Sequence, residues 1–306
     1  MRGRFNDLGL YYAFKFELVP REKDGNRSDD YLKDAFLGWD AFNVFDIRLG
    51  RMKVPLSRAN MKSTKDRFFP YAPALNALVP KRQLGLSVAL SDPYSIVTLR
   101  GGVFNSVRKA MEQMKDLKQL LYVGRLEFNL HQLIDVTAPD VDLATLNLSL
   151  QVAGSAGWIE ESYDPRTEHR WLGVDAALTL WRFTAEFEWA IKEFYQPEVF
   201  QAGVGGVEVA DRGWGWHVDL IAELWPDTLE VMGRYERSDG DQLIRGFDPN
   251  LSMDELSRRK KEWITAGLKV RFLSRAACML TYTYRNELEG LTIKDDVLMT
   301  TCQYAM

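Results

Sequence analysis

Four carboxylates, Glu186 and Glu188 on one segment and Asp219 and Glu223 on another, are the first candidates for chemistry in this chain. Two acids facing one another could act as general acid and base on a glycosidic bond. Nothing else in the sequence completes such a site. His131, His169 and His217 are the only histidines, and they lie on three separate segments without metal-ligand spacing. Gly203-Val204-Gly205-Gly206 has no helix behind it, so it is not a phosphate cradle. Cations gather more densely. Residues 57–81 hold Arg58, Lys62, Lys65 and Arg67 against the single acid Asp66, and Lys81 and Arg82 close the segment. These residues suit electrostatic handling of a passing solute better than catalysis. No enzyme activity, cofactor or metal is expected.

The elements that must position these residues show a second periodicity. Apolar and polar residues alternate with period two from one end of the chain to the other, the pattern of a strand with one apolar face. Leu10, Tyr12, Phe14, Phe16 and Leu18 oppose Lys15 and Glu17; Leu126, Phe128 and Leu130 oppose Arg125, Glu127 and Asn129. The same alternation runs through Ala144–Val152 and Trp214–Leu224. Fifteen segments follow it: 1–6, 10–20, 31–40, 44–56, 82–92, 95–105, 120–130, 143–158, 168–181, 184–195, 213–224, 229–237, 262–273, 276–286 and 296–306. Most are about ten residues long, the length at which a tilted strand crosses a bilayer.

Connections alternate between short turns, such as Asp92-Pro93-Tyr94 and Arg182-Phe183, and long polar loops, such as 106–119, 196–212 and 238–261. Segment 131–142 belongs on the short side by this alternation. Short turns at one end and long loops at the other are the habit of a bacterial transmembrane barrel. The expected fold is therefore all-β, a transmembrane antiparallel β-barrel with short periplasmic turns and long extracellular loops, one domain over residues 1–306. Its average composition, 46% hydrophobic and 27% charged, hides the apolar face because only alternate residues carry it. No run approaches eighteen apolar residues, which excludes a membrane-spanning helix. A net charge of −4 without a basic block gives no reason to expect nucleic acid, and Arg258-Arg259-Lys260-Lys261 is expected to be a solvated loop face. Trp39, Trp158, Trp171, Trp181, Tyr195, Trp214, Trp263 and Tyr304 fall near strand ends, where interfacial girdles sit.

Alternation assigns faces. Lys15, Arg48, Arg100, Arg125, Lys192, Arg234, Lys269, Arg271 and Arg285 become lumen cations. Glu17, Asp34, Asp46, Glu127, Asp175, Glu186, Glu188, Asp219, Glu223, Glu230 and Glu236 become lumen acids, a slight excess. The second half of segment 57–81, Phe68-Phe69-Pro70-Tyr71-Ala72-Pro73-Ala74-Leu75, is apolar and proline-braced, so it is expected to fold into the lumen and carry its cations to a constriction. Cys278 and Cys302 are placed symmetrically about Gly290, opposite one another on the lipid-facing side of the last hairpin. Two reduced thiols are expected there, with a cross-strand disulfide as the alternative.

Three phrases in order carry a family resemblance. Leu32–Phe36 reads LKDAF, Asp46–Pro55 reads DIRLGRMKVP, and Lys81–Gly85 reads KRQLG after the long loop. This order resembles the phosphate-selective porin O and P family, with its LKDAY strand, LRxGQFKVPF strand, inserted loop and R-(D/Q)-x-G strand. The opening MRGRF is similar to that family's second strand, so a further strand and a signal peptide are expected upstream, giving sixteen strands in the parent. Met1-Arg2-Gly3-Arg4 itself has no apolar run behind it. The resemblance implies a bacterial outer-membrane porin, a homotrimer embedded among lipid and lipopolysaccharide, an infolded loop, and passive diffusion of small hydrophilic solutes or ions, anions such as phosphate among them. The acidic excess of the lumen does not support phosphate selectivity. The competing expectation is a structural barrel that sheathes a partner protein in an envelope complex.

Overall fold

Period-two sequence becomes one antiparallel meander. The structure is a computed structural model that describes residues 2–5, 9–16, 22–23, 26–27, 32–41, 44–62, 67–70, 72–105, 120–137, 147–160, 168–196, 209–239, 260–273, 276–287 and 296–304. Its strands are β1 (Arg2–Phe5), β2 (Leu10–Phe16), β3 (Leu32–Ala41), β4 (Phe45–Lys53), β5 (Arg82–Ser91), β6 (Val97–Asn105), β7 (Leu120–Asn129) and β8 (Ser149–Glu160). They continue as β9 (Glu168–Leu180), β10 (Phe183–Gln196), β11 (Val209–Trp225), β12 (Leu229–Asp239), β13 (Lys260–Leu273), β14 (Ala276–Glu287) and β15 (Val297–Tyr304). All belong to one 15-stranded sheet in chain order, every neighbour antiparallel. Among the described residues β1 and β15 do not pair with one another, so the sheet has one open seam. A two-stranded hairpin, Glu22–Lys23 with Asn26–Arg27, lies apart from it.

The two faces differ as the alternation requires. Leu37, Leu49, Leu99, Leu172, Leu220, Phe272 and Leu298 point outward, Leu172 at 54% exposure and Leu298 at 69%. Many of the inward-pointing side chains between them are charged, though Trp171 and Ile221 are apolar and buried. Arg125, Asp175, Glu188, His217, Asp219, Arg234 and Glu236 are all buried. An apolar outside with a polar inside inverts a water-soluble sandwich and suits a wall between lipid and a wet lumen. Tight turns hold the short side together. In the turn from β5 to β6, Asp92 accepts from Tyr94 N at 3.0 Å and Val97 N at 2.6 Å, an Asx turn. Gly9, at φ +65°, sits under β3, where an added Cβ would stand 2.3 Å from the carbonyl oxygen of Asp40.

Four expectations change. Residues after β7 form a helix, α2 (Leu130–Thr137), rather than a short turn; 138–146 lie outside the described residues, and the described part of β8 runs from Ser149. Leu130, Leu133, Ile134 and Thr137 recur at helical spacing, a period that the strand reading passed over. Trp171 and Trp263 are not girdle residues. Trp171 is buried inside and donates from Nε1 to Leu78 O at 2.8 Å, whereas Trp263 faces inward with the Arg285 guanidinium 4.7 Å above its ring. Lys260 and Lys261 open β13 instead of lying in a loop, and Lys261 stands over Trp263. Cys278 and Cys302 are directly opposite in register and are joined as a disulfide, not two thiols, with Cα atoms 4.1 Å apart.

Candidate functional site

The chain between β4 and β5 crosses the inside of the sheet. Its root is closed by one backbone bond, Val54 N to Lys81 O at 3.0 Å. From there Ser57 caps a single helical turn, α1 (Arg58–Met61), by accepting from Asn60 N at 3.1 Å. The Ser57 hydroxyl donates to Asn76 Oδ1 at 3.1 Å, and Asn60 Nδ2 donates to Pro80 O at 2.9 Å. These three buried side chains tie the outgoing half of the segment to its return. Lys53, at the end of β4, donates from Nζ to Met61 O at 3.1 Å and to Lys62 O, placing a cation at the negative end of α1.

Apolar anchors seat the segment against the opposite wall. Val54, Leu56, Leu75, Leu78 and Val79 pack with Phe104, Leu121, Val123, Ile159, Trp171 and Ala190 of β6–β10. Phe69, 0% exposed, fills a socket of Ile221, Met232 and Met279 on β11, β12 and β14. The Arg234 guanidinium lies 4.4 Å from the Phe69 ring centroid. Small residues on the wall give the room: Gly157 and Gly173 lie beneath Leu56, and Gly215 beneath Leu75. The apolar half of 57–81 thus finds apolar residues that face inward, an environment that water could not supply.

Polar contacts complete the docking. Ser155 Oγ donates to Leu56 O at 2.8 Å, and Arg58 Nη1 donates to Gln151 Oε1 at 2.7 Å. Ala59 N donates to Glu188 Oε2 at 3.0 Å and Ala74 N to Glu236 Oε2 at 2.6 Å. Glu186 takes the ammonium of Lys62 and stands 3.5 Å from Arg58 Nε. Burial pushes the Lys62 ammonium below the ordinary lysine pKa, and Glu186 beside it counters only part of that. Lys62 also lies 4.5 Å from the Phe68 ring centroid.

The remaining lumen charges are largely paired with one another. Arg125 binds Asp175 through two bonds, 2.6 and 2.9 Å, and Glu127 at 2.7 Å, while Arg100 holds the other Glu127 oxygen at 3.2 Å. Arg234 grips Asp219 through two bonds of 2.7 Å. Lys269 and Arg271 share Glu230, and Glu223 turns to cap Asp227 N in the β11–β12 turn. Arg285 stacks on Trp263. Lys192 lies over Trp171 at 5.1 Å. Of the root cations, Arg82 donates to Asp34 Oδ1 at 2.7 Å. Lys53 feels Arg82, Arg67 and Lys15 electrostatically, against one carboxylate, Asp34. Arg67 and Lys81 have contacts of their own, and Lys65 lies outside the described residues, as does Glu17.

Sequence reasoning missed three things. Ser57, Asn60 and Asn76 were passed over, although Ser57 just ahead of a helix-forming Arg-Ala-Asn-Met run is a capping signal. The carboxylates Glu186, Glu188 and Asp219 are brought together, yet as partners of cations and backbone N–H groups. A further cluster lies near the seam, where a cavity of about 640 Å³ is lined by Arg4, Tyr11, Phe36, Asp40, Asp46 and Arg48. There Arg48 donates to Tyr11 Oη at 2.8 Å and to Asp46 at 2.5 Å. Among the described residues no group of His, Cys, Asp and Glu could hold a metal ion.

A meander with an apolar exterior, a charged interior and a segment docked across the inside has the fold of a porin-type β-barrel. Residues 1–128 match the family described as phosphate-selective porin O and P. Solved porins share the fold over almost the whole chain. OmpF of Salmonella typhi, in complex with daunomycin, is 14% identical at a TM-score of 0.60, the match covering 99% of this chain and 87% of that one. A loop L8 deletion mutant of OmpT of Vibrio cholerae is 13% identical at a TM-score of 0.56, again over 99% and 87%. A porin refined at 1.8 Å is 11% identical at 0.55, over 96% and 90%. No curated protein matches the chain in sequence. At such identities the likeness is one of fold.

Proposed function

We propose that the protein is a passive channel for small hydrophilic solutes, narrowed by the segment 57–81 and assembled as a homotrimer among outer-membrane lipid and lipopolysaccharide. The observation that carries this reading is the docked segment itself. It is seated by Phe69 and Leu75 on one wall and rooted on another. A barrel that only sheathed a partner protein would need that interior for the partner.

The finer reading concerns charge. Most lumen carboxylates are matched by a cation or by a backbone N–H group, so the acidic excess counted along the sequence overstates the field that a solute meets. At the root of the segment the balance favours cations, with Lys15, Arg67 and Arg82 acting on Lys53 against Asp34. Small anions, phosphate among them, are the solutes that this side of the lumen suits. Arg58, Lys62 and Arg82 lie in the constriction in this reading, and Arg100, Arg125, Arg234, Lys269 and Arg285 in the pore wall.

The test is single-channel recording in a planar bilayer under a KCl gradient, using the full-length detergent-purified protein. Discrete steps grouped in threes with a reversal potential favouring chloride are expected. A folded, heat-modifiable barrel that passes no current would replace the channel with the sheath.

A further inference from the structure

Two cations of the narrowing segment do not face an open path. Lys62 gives its ammonium to Glu186, and Arg58 stands beside the same carboxylate while bonding Gln151. Glu186 is itself buried on β10, with Asp219 next to it in register and already held by Arg234. Glu188 and Ala59 N pin the adjoining turn, so Arg58 and Lys62 are delivered to Glu186 by a backbone fixed in place. A local sequence reading pairs these cations with nothing but Asp66. In the fold, an acid 124 residues away from Lys62 compensates them.

We propose that Glu186 is a specificity-determining residue of the channel: it masks Arg58 and Lys62, so that the solute meets neither charge uncompensated. This deepens the channel reading and rests on it. A carboxylate held in a water-poor site acts strongly on its neighbours, because the local dielectric is low and screening is weak. Neutralising it unmasks two cations of the docked segment. Removing one of those cations leaves the carboxylate partly uncompensated and moves the preference the other way.

The experiment compares reversal potentials in a KCl gradient for the parent, Glu186→Gln, Lys62→Met and the double variant. Glutamine keeps the size and the acceptor oxygen, so the segment can stay docked. Glu186→Gln is expected to raise the chloride-to-potassium permeability ratio, since charge lining a pore sets its ion preference. Lys62→Met is expected to lower the ratio, and the double variant to return toward the parent. Equal ratios in all four proteins would overturn the proposal. If Glu186→Gln does not yield a heat-modifiable barrel, Lys62→Met alone decides: a fall supports the mask and no change ends it. A parent that passes no current is a different failure, that of the channel reading itself.

Discussion

The inner wall of β7–β12 and the inner wall of β2–β4 are built by the same alternation and carry the same kinds of residue, yet they behave differently. On β7–β12 Arg125 is 2% exposed, Glu188 3% and Asp219 2%. They are matched by two-bond pairs or by N–H groups of the docked segment. On β2–β4, Tyr11, Asp46 and Arg48 bond one another around an open cavity, and the Arg48 side chain is 38% exposed. The cause is the segment between β4 and β5, which covers one wall and leaves the other wet. An inward residue is structural where that segment lies on it and available to solute where it does not.

Substitutions on the two walls sharpen this contrast. The largest effect is expected at Arg125→Met, which leaves Asp175 and Glu127 without their buried partner; breaking such a pair costs about 3–5 kcal/mol. The midpoint of thermal unfolding in detergent would fall. A midpoint equal to the parent's would mean that water reaches this wall after all. Next is Phe69→Ala, which empties the socket of Ile221, Met232 and Met279 at about 3 kcal/mol, the lower end of the usual Phe→Ala range because lumen water can enter. Unitary conductance should rise as the segment loosens, and unchanged conductance would separate the docked segment from the narrowing. Ser57→Ala removes the cap of α1 and its bond to Asn76, worth about 1 kcal/mol, and should give flickering current rather than a steady increase. Arg48→Ala on the uncovered wall should cost under about 1 kcal/mol, the range of an exposed pair. A loss there as large as at Arg125 would erase the distinction between the walls.

Much of the fold can be read from local sequence. A strand needs only its own alternate residues to declare its two faces, which is why Leu10–Phe16 or Leu120–Asn129 are legible without a partner. Register in the last hairpin was legible too, since symmetry about Gly290 sets Cys278 opposite Cys302; that the sulfurs bond was not. Cover is another matter. Whether Glu186 is a free lumen acid depends on Lys62, and whether Trp171 is a girdle residue depends on Leu78 O. Those partners lie 124 and 93 residues away in the chain. No window of sequence contains both, so alternation tells inside from outside but not bare from covered. The α2 helix escapes for a different reason: residues 131–142 fall where the alternation of connections sets a short turn, and two turns of period 3.6 are too brief to stand out there.

The separations in sequence also set an order of events. Ala74 reaches Glu236 across 162 residues, and Arg58 reaches Gln151 across 93. Neither bond can close until the strands bearing those acceptors stand in the sheet, whereas each hairpin can zip as soon as its own two strands exist. Seating of the segment is therefore a late step in folding, after at least twelve strands are in place. A barrel caught before that step would already span its membrane but would be wider than the finished one, so refolding followed by conductance should show large openings that shrink with time.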